Sequence, residues 1–144
     1  MSSDTSVNHR HILTKLRAVP GLAGVRIVPA IVPEDFVSGI VFWKVGDMPD
    51  TVNTGARRIQ STQLYVVAAV ARGESLEALG SLPNLIFEAL NGSAGSYGAH
   101  GDVYSCLRQR EHSRGPYRSE SGDSWVESGG VFAIASRGPE FQAP

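Results

Sequence analysis

At 144 residues the chain suits one domain, and 42% hydrophobic against 19% charged residues excludes a wholly disordered protein. A net charge of −1 gives no overall pull toward nucleic acid or a membrane surface, and a lone cysteine, Cys106, excludes an internal disulfide and fits a reducing compartment. The opening Met-Ser-Ser-Asp-Thr-Ser carries no basic-then-apolar leader and no apolar run reaches spanning length, so a soluble protein made in the cytoplasm is expected. The charge is uneven: residues 1–72 hold 8 Lys/Arg against 5 Asp/Glu, +3, and residues 73–144 hold 5 against 9, −4, a split suited to head-to-tail contacts between copies.

Residues 1–5 are expected to fray. Asp4, Thr5 or Ser6 can cap a first helix running to about Val19, with Ile12, Leu13, Leu16 and Val19 on its apolar side and Pro20-Gly21 as its stop. His9 and His11 flank Arg10 in this helix. A two-residue step sets them about 200° apart, which does not suit a shared metal ion, and both read as solvated polar residues. Val25 to Val32 is strand-like but contains Pro29, which cannot donate to a ladder, so an edge strand or a bulged one is expected. After the Pro33-Glu34-Asp35 turn, Gly39 to Val45 returns as a strongly β-prone run, with Trp43 as a core or half-buried sheet residue.

Gly46 to Arg58 reads as a polar connection longer than a hairpin needs, with Pro49 and Gly55 against regular structure in its middle. Its Asp47 and Asp50 read as solvated carboxylates rather than Mg²⁺ ligands, and its Arg57-Arg58 pair is the contact candidate of the first half. Thr62 to Arg72 is apolar on both alternating sets, Leu64, Val66, Ala68 and Val70 on one and Tyr65, Val67, Ala69 and Ala71 on the other. Such a strand belongs in the middle of a sheet with both faces covered. A helix behind it supplies one cover: Ser75 caps a first turn, Leu76, Leu79, Ile86 and Leu90 recur at helical steps, Pro83 predicts a break near Gly80-Ser81-Leu82, and Asn91-Gly92 stops the chain's second helix. The cover for the other face is expected to come from assembly.

Gly92, Gly95, Gly98 and Gly101 mark a flexible loop that lacks the lysine and Ser/Thr of a phosphate loop and follows a helix instead of opening one. Ser96, His100 and Asp102 have the residue types of a hydrolytic triad, but closeness in sequence is not arrangement in space. Val103 to Glu111 alternates Val103, Ser105, Leu107 and Gln109 against Tyr104, Cys106, Arg108 and Arg110, with Cys106 as a small core filler rather than a nucleophile. Arg108, Arg110, Arg114 and Arg118 form the basic cluster of the chain, either a solvated hairpin or a contact with DNA phosphates or an acidic neighbour. The last strand runs from Trp125 to Ser136, Gly129-Gly130 marks a bulge or bend, and Pro139 and Pro144 leave residues 137–144 as an extended arm.

This order of elements predicts a single α+β domain over residues 1–144, an antiparallel or mixed sheet of about five strands packed by two helices. From Val7 to Ser136 the chain resembles the tail terminator (tail completion) family of long-tailed bacteriophages. The resemblance rests on the opening His11-Ile-Leu-Thr-Lys-Leu-Arg helix, the apolar strand ending Val70-Ala-Arg, the Ser75-Leu-Glu-Ala-Leu helix and the closing Gly122-Asp-Ser-Trp-Val-Glu-Ser-Gly-Gly-Val-Phe-Ala-Ile. It implies a structural virion protein without catalysis, cofactor or metal. Such a protein forms a homo-oligomeric ring, typically hexameric, that caps the tail tube protein, ends its polymerisation and joins the tail to a head–tail connector or stopper protein. Genomic DNA passes through the hole, assembly takes place in the host bacterial cytoplasm, and no membrane is involved. On that reading Arg57 and Arg58 make a loop contact, and Arg108 and Arg110 face the channel or a neighbouring subunit. Beside it stand another neck component, a dimeric ligand-binding module with Trp43, Tyr65 and Tyr97 around a pocket, and a small hydrolase using Ser96 and His100.

Overall fold

The computed structural model describes residues 3–29, 36, 38–48, 52–54, 57–119 and 122–138, with side chains from residue 7 onward except those of 52–54 and 57–60. Helix α1 (Ser3–Arg17) starts ahead of the expected caps and buries Val7, Asn8, His11, Ile12 and Leu16, a stripe at three- and four-residue steps. Pro20–Leu22 makes a 3-10 turn with Leu22 buried. Strand β1 (Ile27–Pro29) lies at the sheet edge, parallel to β2 (Ser38–Asp47), as Pro29 requires; it is shorter than the expected Val25–Val32, whose last three residues lie outside the described ones. β3 (Val52–Thr54) pairs with the start of β4 (Arg57–Arg72). The polar stretch 46–58 is therefore not irregular throughout: β4 begins at Arg57 because hairpin pairing with β3 overrides the polarity of its first residues.

Past β4, the Ser75 hydroxyl accepts from the Glu77 N–H at 3.2 Å and starts a 3-10 turn, Leu76–Leu79, and α2 (Leu82–Leu90) begins anew with Pro83 in its first turn. The glycine-rich loop contains the two-residue β5 (Gly95–Ser96) and a short 3-10 turn. β6 (Asp102–Arg118) runs seven residues beyond the expected Glu111, and β7 (Ser124–Arg137) returns beside it. The sheet is mixed, in the order β1-β2-β4-β7-β6-β5, with β3 attached to β4 alone. That is two short strands more than the five expected, since β3 and β5 are too short to show a period. No described helix is long and apolar enough to cross a membrane.

β4 sits between β2 and β7, as its two apolar faces require. One face, with Ile40, Phe42, Tyr65, Val67, Ala69, Phe132 and Ile134, packs against Ile12 and Leu16 of α1 and Ile86 and Leu90 of α2. The other face is not left bare. Val41 and Val70 pack with Phe36 and Trp125, and Val66, Ala68 and Val131 with Trp43 and Leu64. This corrects the expectation that only other copies shield it: Val66 is 4%, Ala68 0% and Val131 1% exposed within the single chain.

Curling makes that self-coverage possible. Trp43 on β2 and His112 on β6 are separated by β4 and β7, about 14 Å across a flat sheet, yet their rings lie 6.0 Å apart. Two features bend the sheet. β6 carries three single-residue register shifts, around Tyr104, Gln109 and Gly115-Pro116, and bulges of this kind increase local twist. β7 contributes Gly129, which faces Ala68 without any shift in register. A Cβ at Gly129 would meet the Val67 carbonyl oxygen at 2.0 Å and the Ala68 Cα at 2.6 Å, so only glycine lets the two backbones approach this closely. The Gly129-Gly130 pair is thus a bend, and the bulges lie on the neighbouring strand.

Candidate functional site

The histidines of α1 are the first correction. His11 is fully buried rather than solvated. Ser93 Oγ donates its single proton to the Leu90 carbonyl (2.6 Å), so it accepts from His11 Nε2 at 2.8 Å, while His11 Nδ1 accepts from the Tyr97 hydroxyl at 2.5 Å. Burial, with the Lys15 charge adding to it, lowers the His11 pKa to about 4, so the ring is a neutral pin between α1 and the glycine-rich loop. His9 turns to a different part of the sheet, edge-on to Phe42 at 5.2 Å and Tyr65 at 5.7 Å, and burial lowers its pKa as well. No group of three or more His, Cys, Asp or Glu side chains converges as a metal site among the described residues. Asp47 pairs with Lys44 at 3.1 Å, and Asp50 lies outside the described residues.

The hydrolytic candidates do not form a relay. Ser96 donates directly to Asp102 at 2.7 Å across the β5–β6 pairing, on the surface, and His100 takes no part in that bond. Cys106 is buried, and burial pushes its thiol up to about 12. That suits a core filler and disfavours a thiolate. The three aromatics read as a pocket also separate: Tyr65 lies under the helices, Trp43 is on the opposite face, and Tyr97 packs against His11. A shallow groove of about 300 Å³ beside α1, lined by His9, Arg10, Leu13, Thr14 and Arg17, brings no nucleophile and base together.

The basic cluster is dispersed by the bulges. Strict alternation puts Arg108 and Arg110 on one side of β6. The extra residue Gln109 instead pairs Arg108 with Phe132 of the helix-covered face and Arg110 with Val131 of the opposite one. Arg108 lies over the Phe87 ring at 4.1 Å. Arg114 lies over Tyr117 at 4.0 Å and reaches Glu127 at 3.8 Å, and Arg118 donates to the Gly122 carbonyl at 3.3 Å. Arg110 is exposed, and no partner is found for it among the described residues. Arg57 and Arg58 fall where β4 extends past the end of β7 and pairs with β3; their side chains lie outside the described residues.

Sequence reasoning missed Glu127. Its carboxylate is nearly buried on the concave face, 3.1 Å from His112 Nε2 and within reach of Arg114, and its proximity, after burial itself, raises the Tyr117 phenol above its ordinary range. A buried charge persists only with such partners. The alternation of Trp125, Glu127 and Gly129 along β7 was the available signal, an acidic residue in the register of the core. The cluster fastens the extended half of β6 to β7.

No protein-family model matches the chain, and no curated protein matches it in sequence. Among solved structures, a chain from the virion of a native gene transfer agent particle superposes on it with a TM-score of 0.61 at 16% identity, covering 88% of this chain and 92% of that one. The shared property is the architecture, a curled mixed sheet backed by two helices, matched almost from end to end.

Proposed function

We propose that the chain is a structural virion protein of a tailed phage-like particle, and within that class a tail terminator: a ring-forming protein that caps the tail tube, stops its growth and joins it to the head connector. The observation that carries this reading is the nearly full-length fold likeness to a chain of the gene transfer agent virion. The terminator assignment rests further on the helix and strand stretches quoted above, from His11 to Ile134. The dispersed polar residues favour it too. Ser96 and Asp102 are bonded to each other on the surface and Cys106 is buried with its thiol pushed up, which suits packing better than chemistry.

Because both sheet faces are covered within the chain, ring contacts on this reading come from edges and hairpins, among them the β3–β4 hairpin with Arg57 and Arg58. Deleting the gene in a particle-producing strain tests the assignment. A terminator's loss leaves filled heads beside unjoined tubes of unregulated length. Unjoined tails of normal length would mean a connector or stopper of the same neck instead, and normal particles would end the virion reading altogether.

A further inference from the structure

The outer side of β6 is covered along its first part, Asp102–Arg108. β5 pairs with Asp102 and Val103, the Gly92 N–H donates to the Cys106 carbonyl at 2.7 Å, and the Asn91 side-chain oxygen accepts from the Arg108 N–H at 2.9 Å. From Gln109 to Arg118, no strand or loop among the described residues pairs with that side. Inside this stretch Arg110–Arg114 keeps unbroken register against Val131–Glu127, framed by the bulge at Gln109 and the next one before Tyr117. It is a short, regular, exposed ladder of backbone donors and acceptors, the kind of edge to which an extended segment adds.

Its side chains select the segment. Arg110, His112 and Arg114 share the register of Val131, Gly129 and Glu127 on one face; Glu111 and Ser113 occupy the other. An antiparallel pair of two such edges centred on His112 would set Arg110 against Arg114 twice, a repulsion between like charges that works against self-pairing. The buried Glu127 answers His112 and Arg114 from within, and no carboxylate among the described residues answers the exposed Arg110. Carboxylates at alternate positions of an incoming strand would meet that face.

We infer that the outer edge of β6 at Arg110–Arg114 is a docking strand for an acidic, extended segment of a different protein, added as a further strand of the sheet. The inference rests on edge geometry and charge and holds whether or not the chain is a tail terminator. The test uses the full chain and three synthetic peptides: one alternating Glu and Val, the same with Lys for Glu, and the Glu peptide with N-methyl groups along one edge of its backbone. Hydrogen exchange at residues 110–114 and fluorescence anisotropy are the readouts.

In the free protein the outward-facing amides of this segment are expected to exchange fast. The Glu peptide slows them and binds, while the Lys peptide and the N-methylated peptide bind at least about tenfold more weakly. Arg110→Glu weakens the Glu peptide by a similar factor with its urea midpoint unchanged. Equal binding of the N-methylated peptide would reduce the site to surface charge. Slow exchange at these amides before any peptide is added would mean that copies of the chain cover the edge. Either result, or no binding of the Glu peptide, overturns the inference.

Discussion

Gly129→Ala and Gly130→Ala differ by one position and should differ sharply in cost. At Gly129 the added methyl would lie 2.0 Å from the Val67 carbonyl oxygen and 2.6 Å from the Ala68 Cα, both backbone atoms of the central strand. Relief requires β7 to move away from β4 at the bottom of the curl, and overpacking of that kind costs roughly 1–3 kcal/mol or more. We expect about 3 kcal/mol or above, a large part of the ~5–15 kcal/mol that holds a domain of this size. At Gly130 the nearest atoms are Arg108 Cδ at 2.8 Å and Cγ at 3.0 Å, on a side chain that can swing aside. The loss there is the Arg108–Phe87 stack, about 0.5–1 kcal/mol at an exposed site, partly offset by the reduced freedom of the unfolded chain. Urea titrations followed by circular dichroism measure both, with unchanged slope and a lowered midpoint for Gly129→Ala. Equal midpoints for the two variants would refute the close β4–β7 approach as the origin of the curl.

Other expectations follow from the buried groups and the hairpin. His11 has a folded pKa near 4 against an ordinary 6.5, so the unfolded chain binds the proton more readily: its contribution is intact above about pH 6.5 and is lost as pH falls toward 4, by about 3 kcal/mol in all. Urea midpoints taken between pH 4 and 8 should show this slope in the parent and a flatter one in His11→Gln; identical slopes would exclude His11 as its source. Cys106 should resist alkylation by iodoacetamide in buffer and react once urea unfolds the chain, as read by mass spectrometry. Arg57→Glu with Arg58→Glu should leave the fold and urea midpoint unchanged and reduce tail joining, scored as infectious or DNA-transferring particles; normal yields would remove the hairpin from the assembly surface.

Much of the fold was readable from local signals, and the misses share a cause. The two apolar faces of Leu64–Ala71 placed β4 in mid-sheet, Pro29 placed β1 at an edge, and Ser75, Pro83 and Asn91-Gly92 marked where the second helical segment starts, breaks and stops. Each of these acts within a few residues of itself. The bulges on β6 do not: they are defined by which residue of β7 lies opposite, and nothing around Gln109 announces an extra residue. Strict alternation then misassigned Arg108 relative to Arg110. His11 likewise looked solvated because the groups that bury it, Ser93 and Tyr97, come more than eighty residues later. The cover of the second face is a third case, since Phe36, Trp43 and Trp125 meet it only after the sheet has curled.

The most direct test is to add the purified chain to tubes assembled from the tail tube protein of the same particle and to image them by electron microscopy. The terminator reading predicts a ring of extra density at one end of each tube and no further growth when fresh tube protein is supplied. Tubes with bare ends that keep lengthening in the presence of the chain would contradict it.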